Sequence, residues 1–549
     1  MTTLLRGIGV GTGSVAGPVA WMAPAPALPA PRPVGDPSAE AAAVRAALAA
    51  VAADLEERAT RATGTGAEVL AAQAMMAADP ALAEQAATLA ANGADGPHAL
   101  ATTFDGFRAA LLAAGGYFAE RAADLDDLRD RAVARLLGLP MPGLPDPGHP
   151  YVLVAEDLAP ADTALLDPEQ VLALVTLRGG PTSHTAILAK ALGLPAVVGC
   201  ADAAELANGR QVLVRGAEGV VEPDPAPEAI ALAARRQRER RERTAAVHGP
   251  GRTADGHRVA LLVNLGAPHE LSGAAAADSE GVGLFRTEFL FLDRAQAPSL
   301  AEQTAAYREV FDAFAGRRVV VRTLDAGADK PLPFATAPDE ENPALGIRGL
   351  RTAGRAPQLL ETQLAAVAAA ARQSGAEVWV MAPMVSVPRE AAWFAARVRE
   401  HGLPLAGAMV EVPAAALRAE RLAEVCDFLS IGTNDLAQYT FAADRTLGSL
   451  AELLDPWQPA LLDLVAATAR AGGEYGRPVG VCGEAAADPA LALVLVGLGV
   501  TSLSVAPSCL AEVRAALAGH TLEQCREFAE SALAAVDGRA ARDAVLSRL

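Results

Sequence analysis

Downstream of Gly251 the chain alternates between continuously apolar runs and helical segments. The runs are "RVALLVNLG", "GVGLFRTEF", "RVVVRTLDAG", "EVWVMAPMV", "LAGAMVEVP", "CDFLSIGTND", "PVGVCGEAA" and "SLSVAPS". A run without polar alternation is the mark of a parallel strand buried on both faces. Eight of them separated by helices predict a (β/α)8 TIM barrel over residues 251–549. Upstream the pattern differs. From Ser38 to Leu137, alanine, leucine and charged residues recur at helical spacing, as in "AEAAAVRAALAAVAADLEERATRAT". "DPALAEQAATLAANG" opens on an Asp-Pro cap and closes on Asn-Gly. This predicts a helical domain over 23–145 that, by itself, packs or docks. After the linker "MPGLPDPGHP" the pattern turns to short strands and helices, "YVLVAEDL", "VLALVTL", "PAVVG" and "RQVLVRGAEGVVEP". The first 22 residues also read as strands and complete this sheet. The α/β domain is therefore expected over 1–22 and 146–225, with the helical block inserted into it. One long polar helix, the linker over 226–250, precedes the barrel.

The 549 residues are about half apolar, enough for several cores, and carry a formal charge of −19. That charge argues against a nucleic-acid backbone as the main partner. The basic run in the linker helix is interleaved with Glu239 and Glu242 and reads as a solvated face. No apolar run reaches the roughly 18 residues of a membrane span. The N-terminus lacks the basic start and apolar centre of a signal peptide, so a cytoplasmic protein is expected. "GTGSVA" approximates a dinucleotide turn but opens onto proline-rich chain instead of a helix, which excludes that reading. The five cysteines are scattered and indicate neither a disulfide framework nor a zinc site.

Barrel active sites lie at the C-terminal ends of the strands. Here polar residues abruptly end the apolar runs: Asn264, Arg286 with Glu288, Arg322 with Asp325, Glu411, Asn434 with Asp435, and Cys482 with Glu484. Arg286 and Arg322, with Arg348 and Arg445 in following loops, suit a multiply charged anion. Glu411 and Asp435 are hard oxygen ligands suited to Mg²⁺. Cys482 follows a buried strand and is placed to donate a proton. In the α/β domain, "LRGGPTSHTAILAKALGLPAVVG" sets His184 between Ser183 and Thr185, behind Gly179 and Gly180. A histidine at a helix N-terminus lies among backbone N–H groups that favour anions, so a phosphoryl group on its ring would be stabilised there. The two hydroxyls are expected to bond its oxygens.

"GGPTSHTAILAKALGLPAVVG" resembles the phosphohistidine signature of the phosphoenolpyruvate-utilising enzymes. "EGVGLFRTEFLFLDR", "VRTLDAGADKPLP", "ENPALGIRGLR", "VEVPAAA", "DFLSIGTNDLAQYTFAADR" and "VCGEAAADP" resemble their barrel. The domain order is similar to that of the Enzyme I family of the bacterial sugar phosphotransferase system. The resemblance implies that phosphoenolpyruvate binds in the barrel with Mg²⁺, that its phosphoryl group passes to Nε2 of His184 with release of pyruvate, and that the phosphohistidine hands it to a histidine of the carrier protein HPr. By motif position Arg286, Arg322 and Arg445 hold substrate, with Arg348 in support, and Asn434 holds its phosphate or carboxylate. Glu411 and Asp435 bind the metal, Cys482 protonates the enolate carbon, and Thr163 hydrogen-bonds the resting histidine. The helical insertion becomes the HPr-binding domain, and the barrel a site of homodimer formation. The chain departs from the pattern at Gln73, where relatives have a histidine on the docking surface, and at Pro181, where some have a basic residue; Arg121 is retained as a carrier contact. Alternatives are a pyruvate phosphate dikinase or phosphoenolpyruvate synthase, which carry a nucleotide-binding domain, the nitrogen-related paralogue of Enzyme I, and a regulatory scaffold without activity. The sugars served downstream are not encoded here.

Overall fold

The computed structural model describes every residue except 1–3, 12, 62–64, 115–121, 159–165, 168, 181–182, 184, 187–188, 190–191, 293, 328–331, 337–339 and 446. It divides into two compact units, Met1–Gln237 and Arg238–Leu549, the boundary falling inside the helix Pro227–Ala245.

The first unit is built on a mixed sheet. Its strands are β1 (Leu5–Arg6), β2 (Ile8–Val10), β3 (Ser14–Trp21), β4 (Tyr151–Ala155), β5 (Val171–Thr176), β6 (Ala196–Val198), β7 (Gln211–Arg215) and β8 (Val220–Pro223). The order across the sheet is β1-β8-β7-β3-β4-β5-β6-β2. β3 to β6 run parallel, and the flanking pairs are antiparallel. Alternation along β4 sends Val152 and Val154 into one core and Leu153 and Ala155 into another, so apolar layers cover both faces. β3 and β4 are neighbours in the sheet yet about 130 residues apart in sequence, and the helical block fills that interval.

The block contains the helices Pro37–Arg61, Thr65–Ala77, Pro80–Ala91, Gly96–Ala114 and Ala122–Leu137. Val44, Leu48, Val51 and Leu55 recur every three or four positions and form the buried stripe of the first helix. Each such side chain, once buried, contributes about 1.5–3 kcal/mol. Asp79 caps the third helix by accepting the Ala81 N–H at 2.8 Å, with Pro80 in its first turn.

The second unit is a closed barrel of parallel strands. They are β9 (Ala260–Leu265), β10 (Gly281–Arg286), β11 (Arg318–Arg322), β12 (Glu377–Ala382), β13 (Ala406–Val410), β14 (Phe428–Ile431), β15 (Val479–Val481) and β16 (Ser502–Val505), closed by pairing of β16 with β9. Each corresponds to one of the apolar runs. In β11, Val319 and Val321 face the surrounding helices, whereas Val320 faces the barrel axis. In β12 the axis-facing residues are Trp379 and Met381. This period of two places alternate rim residues at the mouth.

Candidate active site

The strand ends bring most of the barrel residues singled out in the sequence to one rim. β10 and β11 pair with Arg286 opposite Arg322, so two guanidiniums leave neighbouring strands side by side. Glu411 directly follows β13, Asn434 and Asp435 lie in the first turn of the helix Thr433–Phe441 after β14, and Cys482 directly follows β15. Arg348 and Arg445 come from loops.

The buried cations and anions alternate in a chain. Arg322 pairs with Glu288 and, through Nη1, with Asp325 Oδ2 at 3.0 Å. Asp325 also accepts from Arg348 Nη2 at 3.2 Å, while Arg348 Nη1 reaches Asp435 Oδ1 at 3.2 Å. Asp435 Oδ2 lies 3.5 Å from Arg445 Nη1. The Met384 N–H donates to Glu411 Oε1 at 2.5 Å, from a backbone held at φ +57°. Positive φ is uncommon for a side chain of this size and marks backbone strain at the site. Burial opposes the charge of Arg322 and Arg348, but their carboxylate neighbours outweigh it and raise both pKa values. Glu411 shows the converse. Burial first, then the charges of Asp325 and Asp435, push its carboxyl up to about 8 against the pull of Arg322 and the Met384 N–H. Arg286 differs: it is exposed, and no ion pair engages it among the described residues. Asn434 Oδ1 accepts the Glu484 N–H at 3.3 Å, tying the β14 loop to the β15 loop.

Cys482 lies below this chain, 3 % exposed. Its sulfur accepts from Ser430 Oγ at 3.4 Å and faces the Ile431 carbonyl oxygen at 3.6 Å. Burial raises the thiol pKa, and the opposing pull of Ser430 and Arg322 does not cancel it. The group is therefore a protonated thiol at neutral pH, able to give a proton and not to attack.

Several partners were not assigned a role from sequence. Glu288 and Asp325 hold the arginines, Tyr439 accepts from Arg348 Nη1 at 3.3 Å, and Gln363 donates to Thr287 and Tyr307 while accepting the Leu324 N–H. The three-residue step from Arg322 to Asp325 was a usable signal for one of these; the others come from distant segments.

His184, Thr163, Arg121 and Pro181 lie outside the described residues. One expectation nearby is corrected. Thr185 is fully buried and donates to Asp157 Oδ1 at 3.2 Å, so its hydroxyl is committed inward instead of facing a phosphoryl group. Ser183 Oγ accepts the Ala186 N–H at 3.3 Å, the bond of a cap, which does not use its own hydroxyl hydrogen. Gly179, at φ +99°, meets the backbone requirement that its position in the turn suggested. In the helical block Gln73 is no surface residue: it is 2 % exposed and donates to Asp124 Oδ1 at 3.1 Å. It sits on the buried face of its helix, opposite the helix Ala122–Leu137.

Comparison with known proteins covers the whole chain. Residues 240–522 match the model of the PEP-utilising enzyme, PEP-binding domain. Residues 147–219 match its mobile domain and residues 6–121 its N-terminal domain. A phosphoenolpyruvate-protein phosphotransferase of Streptomyces coelicolor is 54 % identical over 554 residues, covering 100 % of both chains. One of Haloferax volcanii is 41 % identical, covering 97 % of each. A solution structure of Enzyme I covers 43 % of this chain and 98 % of its own at 29 % identity, with a TM-score of 0.37.

Proposed function

The chain belongs to the PEP-utilising enzymes, as a member of the phosphoenolpyruvate-protein phosphotransferases known as Enzyme I, and from that premise we propose how its residues divide the work. The observation that carries the reading is the rim itself: alternating buried arginines and carboxylates lie directly above a protonated thiol. Arg286 and Arg322 receive the phosphate of phosphoenolpyruvate, Arg445 and Asn434 hold the rest of it, and Arg348 fixes the carboxylates around it. Arg322, Arg348 and Arg445 are neutralised by Glu288, Asp325 and Asp435, so at these three an incoming trianion exchanges one set of anionic partners for another, whereas Arg286 is without an ion pair among the described residues. Such exchange limits the desolvation cost of binding.

Glu411 and Asp435 fit Mg²⁺. Two carboxylates completed by substrate oxygens form a donor set that this ion takes. Gly432 leaves room beside them: a Cβ there would stand 3.0 Å from Glu411 Oε2. Bound there, Mg²⁺ supplies further charge neutralisation to the transferring phosphoryl group.

The P–O bond to the enol oxygen breaks as Nε2 of His184 takes the phosphoryl group. The enolate left behind collects a proton at C3 from Cys482 and departs as pyruvate. His184 then passes the phosphoryl group to a histidine of a carrier of the HPr type docked on the helical block, where Arg121 is the proposed contact and Thr163 the resting partner of the ring. The linker helix and the segment 141–150 are the proposed hinges. We place the enzyme in the cytoplasm as a homodimer formed through the barrel; no helix among the described residues is long and apolar enough to cross a membrane.

Labelled phosphoenolpyruvate with Mg²⁺ should yield an acid-labile, base-stable phosphoprotein, and His184→Ala should yield none. An unlabelled wild type, or a labelled alanine variant, would overturn the reading.

A further inference from the structure

Each quenched enolate leaves Cys482 as a thiolate, so continued turnover requires a proton to come back to its sulfur. We propose that Ser430 is the positioning residue that returns this proton, drawing it from a small cavity inside the barrel that three serines line on one wall, and not from the substrate side. The proposal rests on the reading of Cys482 as the acid.

Three observations carry it. Ser430 is 5 % exposed and already donates its hydroxyl hydrogen to Cys482 Sγ, at 3.4 Å. Next to this pair lies a cavity of about 20 Å³, with room for roughly one water molecule. Its lining spans the strands from end to end: Arg318 and Ser502 begin β11 and β16, Pro478 precedes β15, and Cys482 follows β15. The cavity therefore lies between the thiol and the end of the barrel opposite the rim, and one water in it would bridge part of that distance.

Barrel interiors of this kind are ordinarily filled by bulky branched side chains. Here Gly480 faces Ser502 and Gly283 faces Ser504, and the space between is reserved for hydroxyls. A Cβ on Gly480 would stand 2.6 Å from Ser502 Oγ, and one on Gly283 would stand 2.5 Å from Ser504 Oγ. At the far mouth the buried Nε of Arg318 has no hydrogen-bond partner among the described residues, although its guanidinium stacks 3.8 Å from the Trp379 ring centroid. Trp379 and Phe428, with ring centroids 4.7 Å apart, form the apolar wall of the same cavity, so its hydroxyls are those of Ser430, Ser502 and Ser504.

The proton count closes. The Cys482 S–H bond breaks as the C3–H bond of pyruvate forms. The thiolate takes the Ser430 hydroxyl proton, Ser430 takes one from a cavity water, and exchange with solvent at the Arg318 end neutralises the hydroxide. Nothing is oxidised or reduced.

The test uses the full chain with phosphoenolpyruvate, Mg²⁺ and a phosphoryl-accepting carrier, and measures pyruvate in the first turnover and at steady state. Ser502→Val, which fills the cavity, should hold the first turnover within about threefold and slow later turnovers about tenfold or more. Ser430→Ala should slow later turnovers more than the first, and Ser430→Thr, which keeps the hydroxyl, should restore them. Equal losses in first and later turnovers would reduce Ser430 to a packing role and overturn the proposal, as would unchanged kinetics in Ser502→Val. If the wild type formed no pyruvate at all, the parent reading would fail instead.

Discussion

At the scale of single residues, the rim separates two kinds of arginine. Arg322 and Arg348 are buried and shared between carboxylates, whereas Arg286 stands exposed. Removing a partner of a buried pair strands a charge and costs about 3–5 kcal/mol. Asp325→Ala, which leaves two guanidiniums short of a carboxylate, should therefore destabilise the barrel by about that amount as well as impair catalysis. Arg286→Ala should change stability by no more than about 0.5 kcal/mol while lowering kcat/KM by about a hundredfold or more. Denaturant unfolding beside kinetics checks both, and equal stability losses would contradict the distinction. Glu411 sets a pH dependence. Its ordinary value is 4.5 and its folded value about 8, so between them the fold binds a proton that the unfolded chain has released. Stability from this group is present at the acid side of that window and lost as pH rises through it. The metal-free protein should melt at falling temperature between about pH 5 and 8, and Glu411→Gln should flatten the slope. An unchanged slope in the glutamine variant would remove Glu411 as its source.

At the scale of elements, the barrel was legible because each strand is a continuous apolar run that ends on a polar residue. Asn264, Arg286, Arg322, Glu411, Asp435 and Cys482 could be placed on one rim from that alone. Their partners were not legible. Arg348 meets Asp325 and Asp435 only because three separate loops converge, and the positive φ of Met384 leaves no trace in its residue type. Gln73 shows the same limit in a helix. Among alanines and leucines one glutamine does not reveal which face its neighbours cover, and the packing of Ala122–Leu137 decided it. The loops are coupled at Gly483, where a Cβ would fall 1.9 Å from Thr433 Oγ1 and 2.9 Å from the Thr433 nitrogen. Gly483→Ala should therefore push apart the loops bearing Cys482 and Asn434–Asp435, lowering kcat about a hundredfold with the circular dichroism spectrum unchanged. Wild-type kinetics in that variant would show that the loops move independently.

At the scale of the whole molecule, the division at Gln237 separates a sheet-and-helix unit from the barrel, each with its own core. Two calorimetric transitions are expected. In His184→Ala, which cannot be phosphorylated, phosphoenolpyruvate with Mg²⁺ should raise only the barrel's, by about 2.7 kcal/mol at a hundredfold excess over Kd. A single transition, or a rise in the other one, would contradict that assignment.

Within the first unit the helical block interrupts the chain between adjacent parallel strands, so the chain leaves the sheet and comes back to it. The outgoing and returning passes are themselves bridged, Ala23 to Gly143, with the Gly143 N–H donating to the Ala23 carbonyl at 3.1 Å. A single covalent tether allows swivel about its own length; two tethers stitched together act as a strap hinge, which bends about one axis and resists torsion. The helical block should therefore tilt against its sheet more readily than it twists, and a carrier docked on it, as proposed above, would approach the sheet along an arc that the covalent chain has already drawn.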